Sequence, residues 1–435
     1  MATDPRAIID REPMSRFQWT VVAVMVGLNA LDGFDVLSIS FASPGIAKDW
    51  GIDRGALGIV LSMELIGMAA GSLLLGGVAD RIGRRLTILA CLVGMAFGMF
   101  GAATAHDVTT LSLWRVVTGL GIGGMLAATN AAVAEAANAG RRNLAVVLMA
   151  GGYPVGTIIG GLVSARLLAD HGWPAVFIFG GIATTCFIPL VLLFAPESIA
   201  FLMEQRRPDA LARINRTLGR MGHAAVDALP AIAAKARRIR ITELFVPAYI
   251  ALTVALTVAY LAHVMTFYFV LKWIPKIVVD MGFAPPLAAG VLVWASVGGA
   301  SGSLLLGLMT TRLHLYTLTI TAMLASTLAV IAFGQGQTDL GTLSLIAAIA
   351  GFATNAGIVG LYALIAAAFP THLRATATGF VIGVGRGGSA LAPALAGFLF
   401  VAGHGLATVA VLMAMGSLVA AFTLFIARRR LRTAT

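Results

Sequence analysis

Twelve stretches of about 20 apolar residues follow one another along this chain, and no other feature narrows the possible folds as much. They run roughly over 17–42, 55–79, 86–105, 109–134, 143–168, 174–195, 245–272, 286–310, 315–335, 340–368, 376–401 and 405–427. At about 1.5 Å per residue, each can cross a hydrocarbon core of about 30 Å as a helix. Lipid offers the backbone no hydrogen-bond partners, so a crossing run of this length satisfies its own polar groups by coiling. Only 11% of the 435 residues are charged, against about 25% in a soluble domain. A water-soluble core is excluded, and the expected fold is all-α and polytopic.

The net charge of +11 raises the question of a nucleic-acid partner, but the placement of the charges answers it. Twenty-three of the 30 Lys and Arg fall in one set of alternate connections. That set comprises the N-terminal segment, Arg81, Arg84, Arg85, Arg141, Arg142, the 197–244 loop, Arg312, Arg374, and the C-terminal Arg428, Arg429, Arg430 and Arg432. The other set holds Lys48, Arg54, Arg166, Lys272 and Lys276. The positive-inside rule then puts both termini and the long middle loop in the cytoplasm. The basic balance is topology, and no nucleic acid is expected. Arg6, Arg11 and Arg16 precede a first apolar run too long for a signal-peptide core, so no cleaved leader is expected. Cys91 and Cys186 both sit inside apolar runs and imply neither a disulfide nor a metal site.

The longest polar segment begins Pro196-Glu197-Ser198 and divides the chain into six spans before and six after. The expected units are an N-terminal six-helix bundle over 1–196, a cytoplasmic linker over 197–244 and a C-terminal six-helix bundle over 245–435. The Arg-rich stretches of the linker read as surface-lying helices of a solvated connection. The halves also repeat. Gly71-Ser72-Leu73-Leu74-Leu75-Gly76 recurs verbatim as Gly302-Ser303-Leu304-Leu305-Leu306-Gly307, and an Arg follows each copy at the same offset, Arg81 and Arg312.

The second span closes with Gly76-Gly77-Val78-Ala79-Asp80-Arg81-Ile82-Gly83-Arg84-Arg85. Small residues let helices approach closely, Gly83 permits a tight turn, and Asp80 offers a carboxylate to arginines or to a helix N-terminus. This decapeptide resembles the loop signature of the major facilitator superfamily, where it latches the cytoplasmic side when the carrier faces outward. The resemblance implies a gating role for Gly76, Asp80, Arg81, Gly83, Arg84 and Arg85. The second copy departs from it, with Thr311 and His314 in place of Asp80 and Gly83. Arg115 through Gly121 resembles the family's fourth-helix pattern, and Glu135 followed by Arg141 its gating connection between helices four and five. Pro196-Glu197-Ser198 is similar to the end of helix six, and Phe369 through Thr376 to the connection between helices ten and eleven. Gly152-Tyr153-Pro154-Val155-Gly156 only partly matches a fifth-helix motif of drug antiporters.

A narrower resemblance combines Asp32-Gly33-Phe34-Asp35, the full decapeptide and Gly383-Val384-Gly385-Arg386. Together they resemble the aromatic acid:proton symporter family, whose members import benzoates, hydroxybenzoates and similar carboxylates in bacteria. It implies a major facilitator fold of 12 transmembrane helices and a substrate site near the midplane between the halves. It further implies a bacterial inner membrane location, a small aromatic carboxylate as substrate, the proton as coupling ion with no other cofactor, and a monomer.

The charges inside the spans can be placed by depth. Asp32 lies roughly 22 Å into the first span at about 1.5 Å per residue, past the middle of the core, with Asp35 one turn further on the same side. Each buried charge at such a depth costs on the order of 2.5–3.5 kcal/mol. Two acids on one patch strain each other when both are ionised, which favours a proton on one; Asp32 and Asp35 are the expected proton-coupling pair. Arg386, near mid-depth, is expected to bind the substrate carboxylate through its planar fork. Glu64 is also near mid-depth and Arg115 lies closer to the outer surface; for both, substrate contact and a structural ion pair stay open. His263, which falls at the repeat counterpart of Asp32, joins Tyr153, Asn355 and Trp294 as candidate substrate contacts. Tyr260, Phe267, Tyr362, Asn29 and Asn130 are further candidates for the cavity wall. Alternative readings within the fold are a carrier for another organic anion or sugar acid, or a drug/proton exporter. No catalytic Ser/His/Asp grouping, zinc spacing or phosphate loop appears, so no enzyme is expected.

Overall fold

The computed structural model describes residues 4–206, 208–230 and 241–427, without the side chains at positions 76, 80, 371 and 375. In chain order its helices are α1 (Pro5–Arg11), α2 (Arg16–Trp50), α3 (Arg54–Ile82), α4 (Arg84–Ala103), α5 (Val108–Ala136), α6 (Arg142–Asp170) and α7 (Pro174–Phe194). There follow α8 (Ile199–Gln205), α9 (Ala210–Met221), α10 (Ile250–Asp280), α11 (Pro285–Met309), α12 (Leu315–Gly334), α13 (Leu340–Ala368), α14 (Thr371–Val401) and α15 (Leu406–Ile426). Twelve of them, α2–α7 and α10–α15, are long and apolar enough to cross a membrane, which is the all-α polytopic arrangement expected. Their bounds follow the apolar runs except where polar groups find partners inside the protein. Thus α2 continues to Trp50 and α10 to Asp280, and Lys272, assigned above to an outer connection, lies fully buried within α10.

The internal repeat has a packing basis. A side chain at Gly71 of α3 would run into the Leu120 carbonyl of α5, and one at Gly302 of α11 into the Phe352 carbonyl of α13. The two copies of the hexapeptide therefore allow the same close helix pair in each half. Helices α5 and α13 also begin alike. Asp107 accepts from the Thr110 backbone N–H at 2.9 Å and Asp339 from that of Thr342 at 2.7 Å. These hydrogen bonds hold both exposed carboxyls below the ordinary aspartate range.

The halves meet where α14 packs on α3, α11 on α6 and α10 on α2. The α3/α14 seam brings backbones close: Gly58 faces the Pro393 carbonyl, Gly397 faces the Arg54 carbonyl, and Ala394 N–H donates to Ser62 Oγ at 3.1 Å. Polar ties between the halves follow one rule among the described residues. The contact of Arg386 with the Met68 carbonyl (3.3 Å) lies near the middle of both helices. All the others, including Arg54 with Asp280 at 2.8 Å, lie toward the end remote from the chain termini. Among the described residues the halves are thus tied at the remote end and at mid-depth.

Over the described residues the linker is not a solvated connection. Helices α8 and α9 turn Ile199, Phe201, Leu202, Ile214, Leu218 and Met221 onto Ile9 of α1, forming a separate apolar cluster. Amphipathic helices this short are stable only if that face is covered. Arg142 pairs with Asp10, Asn138 donates to the Glu12 carbonyl at 3.0 Å and Arg220 donates to the Leu193 carbonyl at 2.6 Å. The cap is thereby fixed to the first half. The linker charges Arg207, Lys235, Arg237, Arg238 and Arg240, with the C-terminal arginines, lie outside the described residues.

Candidate functional site

At the closed side of the junction five charged groups gather: Asp32 and Asp35 on α2, Glu64 on α3, Arg115 on α5 and Lys272 on α10. All are buried, four of them completely. Glu64 is served by a cation on each oxygen. Arg115 Nη2 stands 2.5 Å from its Oε1, and Lys272 Nζ, coming from the other half, 3.1 Å from its Oε2. Arg115 also donates to the Asp35 carbonyl at 2.9 Å and to Met99 Sδ at 3.2 Å, over the face of Phe177. Lys272 donates a second bond to the Val36 carbonyl. Two cations so placed fix Glu64 and the α2 backbone, and a buried ion cluster of this kind is stable only when every member is paired.

The aspartates are not so served. Asp32 Oδ1 and both Asp35 carboxylate oxygens have no hydrogen-bond partner among the described groups. Gly33 between them lies against the Tyr153 carbonyl of α6, where any side chain would collide. Its smallness brings α2 and α6 together rather than leaving room beside the acids.

Toward the middle of the junction the surroundings turn aromatic. The Tyr153 hydroxyl is within electrostatic reach of Asp32, Glu64, Tyr268 and Tyr362. Tyr260 and Tyr362 face each other, with hydroxyls 3.2 Å apart and ring centroids 5.7 Å apart. Arg386 is within electrostatic reach of Tyr260 and Tyr268. It is half-buried and has no carboxylate partner among the described residues. Two tyrosines, Tyr260 and Tyr268, thus stand near a mid-depth arginine, and Tyr153 and Tyr362 extend the aromatic group toward Asp32 and Glu64, offering flat walls and hydroxyl donors.

Other candidates lie elsewhere. His263 is fully buried between α13 and α15; Nδ1 meets Ser417 Oγ and Nε2 the Thr354 carbonyl, each at 2.9 Å, so both ring nitrogens are occupied far from the aspartates' face. Trp294 is 53% exposed and shares its helix face with the exposed Leu287, Leu305 and Leu308, which turns it to the apolar exterior. Asn355 packs on Gly299 of α11. Asn29 clips α2 to α6 through the Met149 carbonyl at 2.7 Å, and Asn130 bonds within its own helix. Sequence reasoning missed Lys272 and Tyr268. Both fall in the second half of α10, close to where the apolar run 245–272 ends and a polar residue reads as flank.

At the terminus-bearing end a second charged set forms between α3 and α4. Glu197 Oε1 accepts from the backbone N–H groups of Arg84 (2.8 Å), Arg85 (3.3 Å) and Ser198 (2.9 Å), a carboxylate seated on the α4 N-terminus. Arg84 pairs with Glu135 at 3.5 Å and Arg85 donates to the Leu192 carbonyl at 2.5 Å. Arg81 and Arg141 are exposed; the arginine that docks here is Arg142, on the Ala134 carbonyl at 2.9 Å and on Asp10. The Asp80 side chain and position 76 lie outside the described side chains. Gly83 has φ +103°, and a Cβ there would strike the Glu197 carboxylate. Gly83→Ala is therefore expected to cost about 1–3 kcal/mol and to lower the apparent thermal midpoint in detergent. Gly94→Ala, at a helical glycine with open space around it, serves as the control and leaves the midpoint unchanged or raised.

Two six-helix halves related by a repeat, with charged groups at their junction, are the layout of a secondary transporter. The family model of the Major Facilitator Superfamily matches residues 25–335. The chain is 28% identical to the gallate transporter of Pseudomonas putida, over 97% of this chain and 94% of that protein. It is 30% identical to the 4-hydroxybenzoate transporter PcaK of Acinetobacter baylyi, over 89% of this chain and 86% of that protein. A solved bacterial homologue of the human lysosomal transporter Spinster superposes with a TM-score of 0.74 at 16% identity, covering 96% of this chain and 98% of that one. The chain belongs to the Major Facilitator Superfamily and, within it, to the aromatic acid transporters.

Proposed function

We propose that this protein imports aromatic carboxylates together with protons by alternating access. The observation that carries this reading is a pair of complementary charged groups across the junction. Among the described residues, Asp32 Oδ1 and both Asp35 carboxylate oxygens on the first half have no hydrogen-bond partner, and Arg386 on the second half bonds a carbonyl rather than a carboxylate. An ionised, unpartnered carboxylate in such a place is costly, and a bound proton removes the cost. Arg386 then takes the substrate carboxylate, and Tyr153, Tyr260, Tyr268 and Tyr362 provide the aromatic wall and donors for ring hydroxyls. The relatives named for gallate and 4-hydroxybenzoate, both hydroxylated aromatic acids, support this choice. The proton is the only coupling ion, with no enzymatic step and no cofactor. The carrier works as a monomer in a bacterial inner membrane, with both termini in the cytoplasm. Accumulation of radiolabelled 4-hydroxybenzoate in vesicles under an imposed inward proton gradient tests it. Uptake collapses when the gradient is dissipated, and Arg386→Ala raises the half-saturating concentration about tenfold or more. Uptake indifferent to the gradient refutes the coupling.

A further inference from the structure

Lys272 belongs to the second half, yet both its partners, Glu64 and the Val36 carbonyl, belong to the first. It lies toward the end where the halves are closed, so parting them there strips it of both. The cluster's charges do not balance as they stand. Asp32, Asp35 and Glu64 supply three negative charges against two positive ones from Arg115 and Lys272, and one proton makes the sum zero. With Lys272 withdrawn, Arg115 alone faces three carboxylates and two protons are needed for the same balance. Arriving and leaving, Lys272 stands in for one proton.

We propose that Lys272 is the coupling cation of this carrier: its docking on Glu64 as the remote end closes expels the transported proton into the open cleft. The proposal rests on the symport reading above. Open to the outside, the cluster lacks Lys272 and takes up a proton. Closing that side brings the ammonium in, and the proton leaves from the aspartates to water, Asp32 being one turn nearer the cleft.

The titratable and charged groups facing the cluster from each packed element are known. They are Asp32 and Asp35 on α2, Glu64 on α3, Cys91 on α4, Arg115 on α5, Tyr153 on α6, Tyr268 and Lys272 on α10, Tyr362 on α13 and Arg386 on α14. Helix α7 brings Gly180 to Asp35 and the Phe177 ring to Arg115, neither of them titratable. Ordinary phenols, thiols and guanidiniums ionise well above neutrality, which leaves the carboxylates to exchange the proton.

The test compares wild type, Lys272→Gln and Lys272→Arg in proteoliposomes, with internal pH varied at fixed external pH. Net uptake of radiolabelled 4-hydroxybenzoate requires proton release inside, whereas exchange of labelled for unlabelled substrate does not. Lys272→Gln is expected to lose net uptake near neutral internal pH and to keep measurable exchange. Its half-maximal internal pH for net uptake moves up by about 1–3 pH units, and Lys272→Arg restores the wild-type profile. An unmoved midpoint in Lys272→Gln overturns the proposal. So does joint loss of uptake and exchange at every pH in both variants, which would make Lys272 structural. If wild type itself shows no gradient-driven uptake, the symport reading fails first; if wild type accumulates substrate and only the Lys272→Gln profile stays put, that reading survives and this inference falls.

Discussion

Asp32→Asn and Asp35→Asn each reduce gradient-driven uptake at least about tenfold, a loss of roughly 1.4 kcal/mol or more of driving interaction. Asparagine keeps the size and the polar character of each side chain, so the packing of α2 against α6 through Gly33 is retained. What it removes is a group that can be neutral in one state and charged in another. Arg115 and Lys272 are committed to Glu64 and to the α2 backbone, so Arg115 acts on the Asp35 carboxylate through space only and neither cation bonds an aspartate carboxylate. The check is the initial rate in vesicles, normalised to inserted protein, with and without the gradient. Wild-type rates in both variants would remove the aspartates from the coupling.

Glu64→Gln unfolds the protein more readily than any other single change in the cluster, by about 3–5 kcal/mol. One carboxylate there neutralises two fully buried cations that come from different helices and different halves. The amide takes from both the carboxylate that bonds them, whereas Arg115→Met leaves Glu64 still paired with Lys272. Thermal unfolding in detergent followed by tryptophan fluorescence should rank Glu64→Gln below Arg115→Met, and both below wild type. A midpoint for Glu64→Gln equal to that of wild type would mean that the cluster is wetter and looser than its geometry implies.

The sequence discloses most of the fold because lipid imposes a length and an apolar composition on every crossing helix, and both are visible residue by residue. The repeated hexapeptide is legible for a related reason: close helix approach demands glycine at the same register in both halves. The acids of α2 stand out because a charge in an apolar run is costly wherever it sits. Lys272 does not, since a lysine near the end of such a run is indistinguishable from a flanking topological charge until Glu64 is seen beside it. Trp294 and His263 are turned away from the aspartates through rotation rather than depth. One points to the apolar exterior, and the other spends both nitrogens on Ser417 and Thr354. Which way a side chain turns is set by the partner helix, and a single strand of text holds no partner helix.

The seam between α3 and α14 bears on how the halves come apart. With Gly58, Gly397, the carbonyls of Pro393 and Arg54, and one short hydroxyl as its furniture, it has few side chains to unlace. Beside the glycines, Val401 and Phe398 of α14 lie against Gly55 of α3, and Arg54 lies over the Phe400 ring. The hold on the closed state is shared between these rim contacts and a few discrete charges, Arg54 with Asp280 and Lys272 with Glu64, which act as a clasp on the fold line.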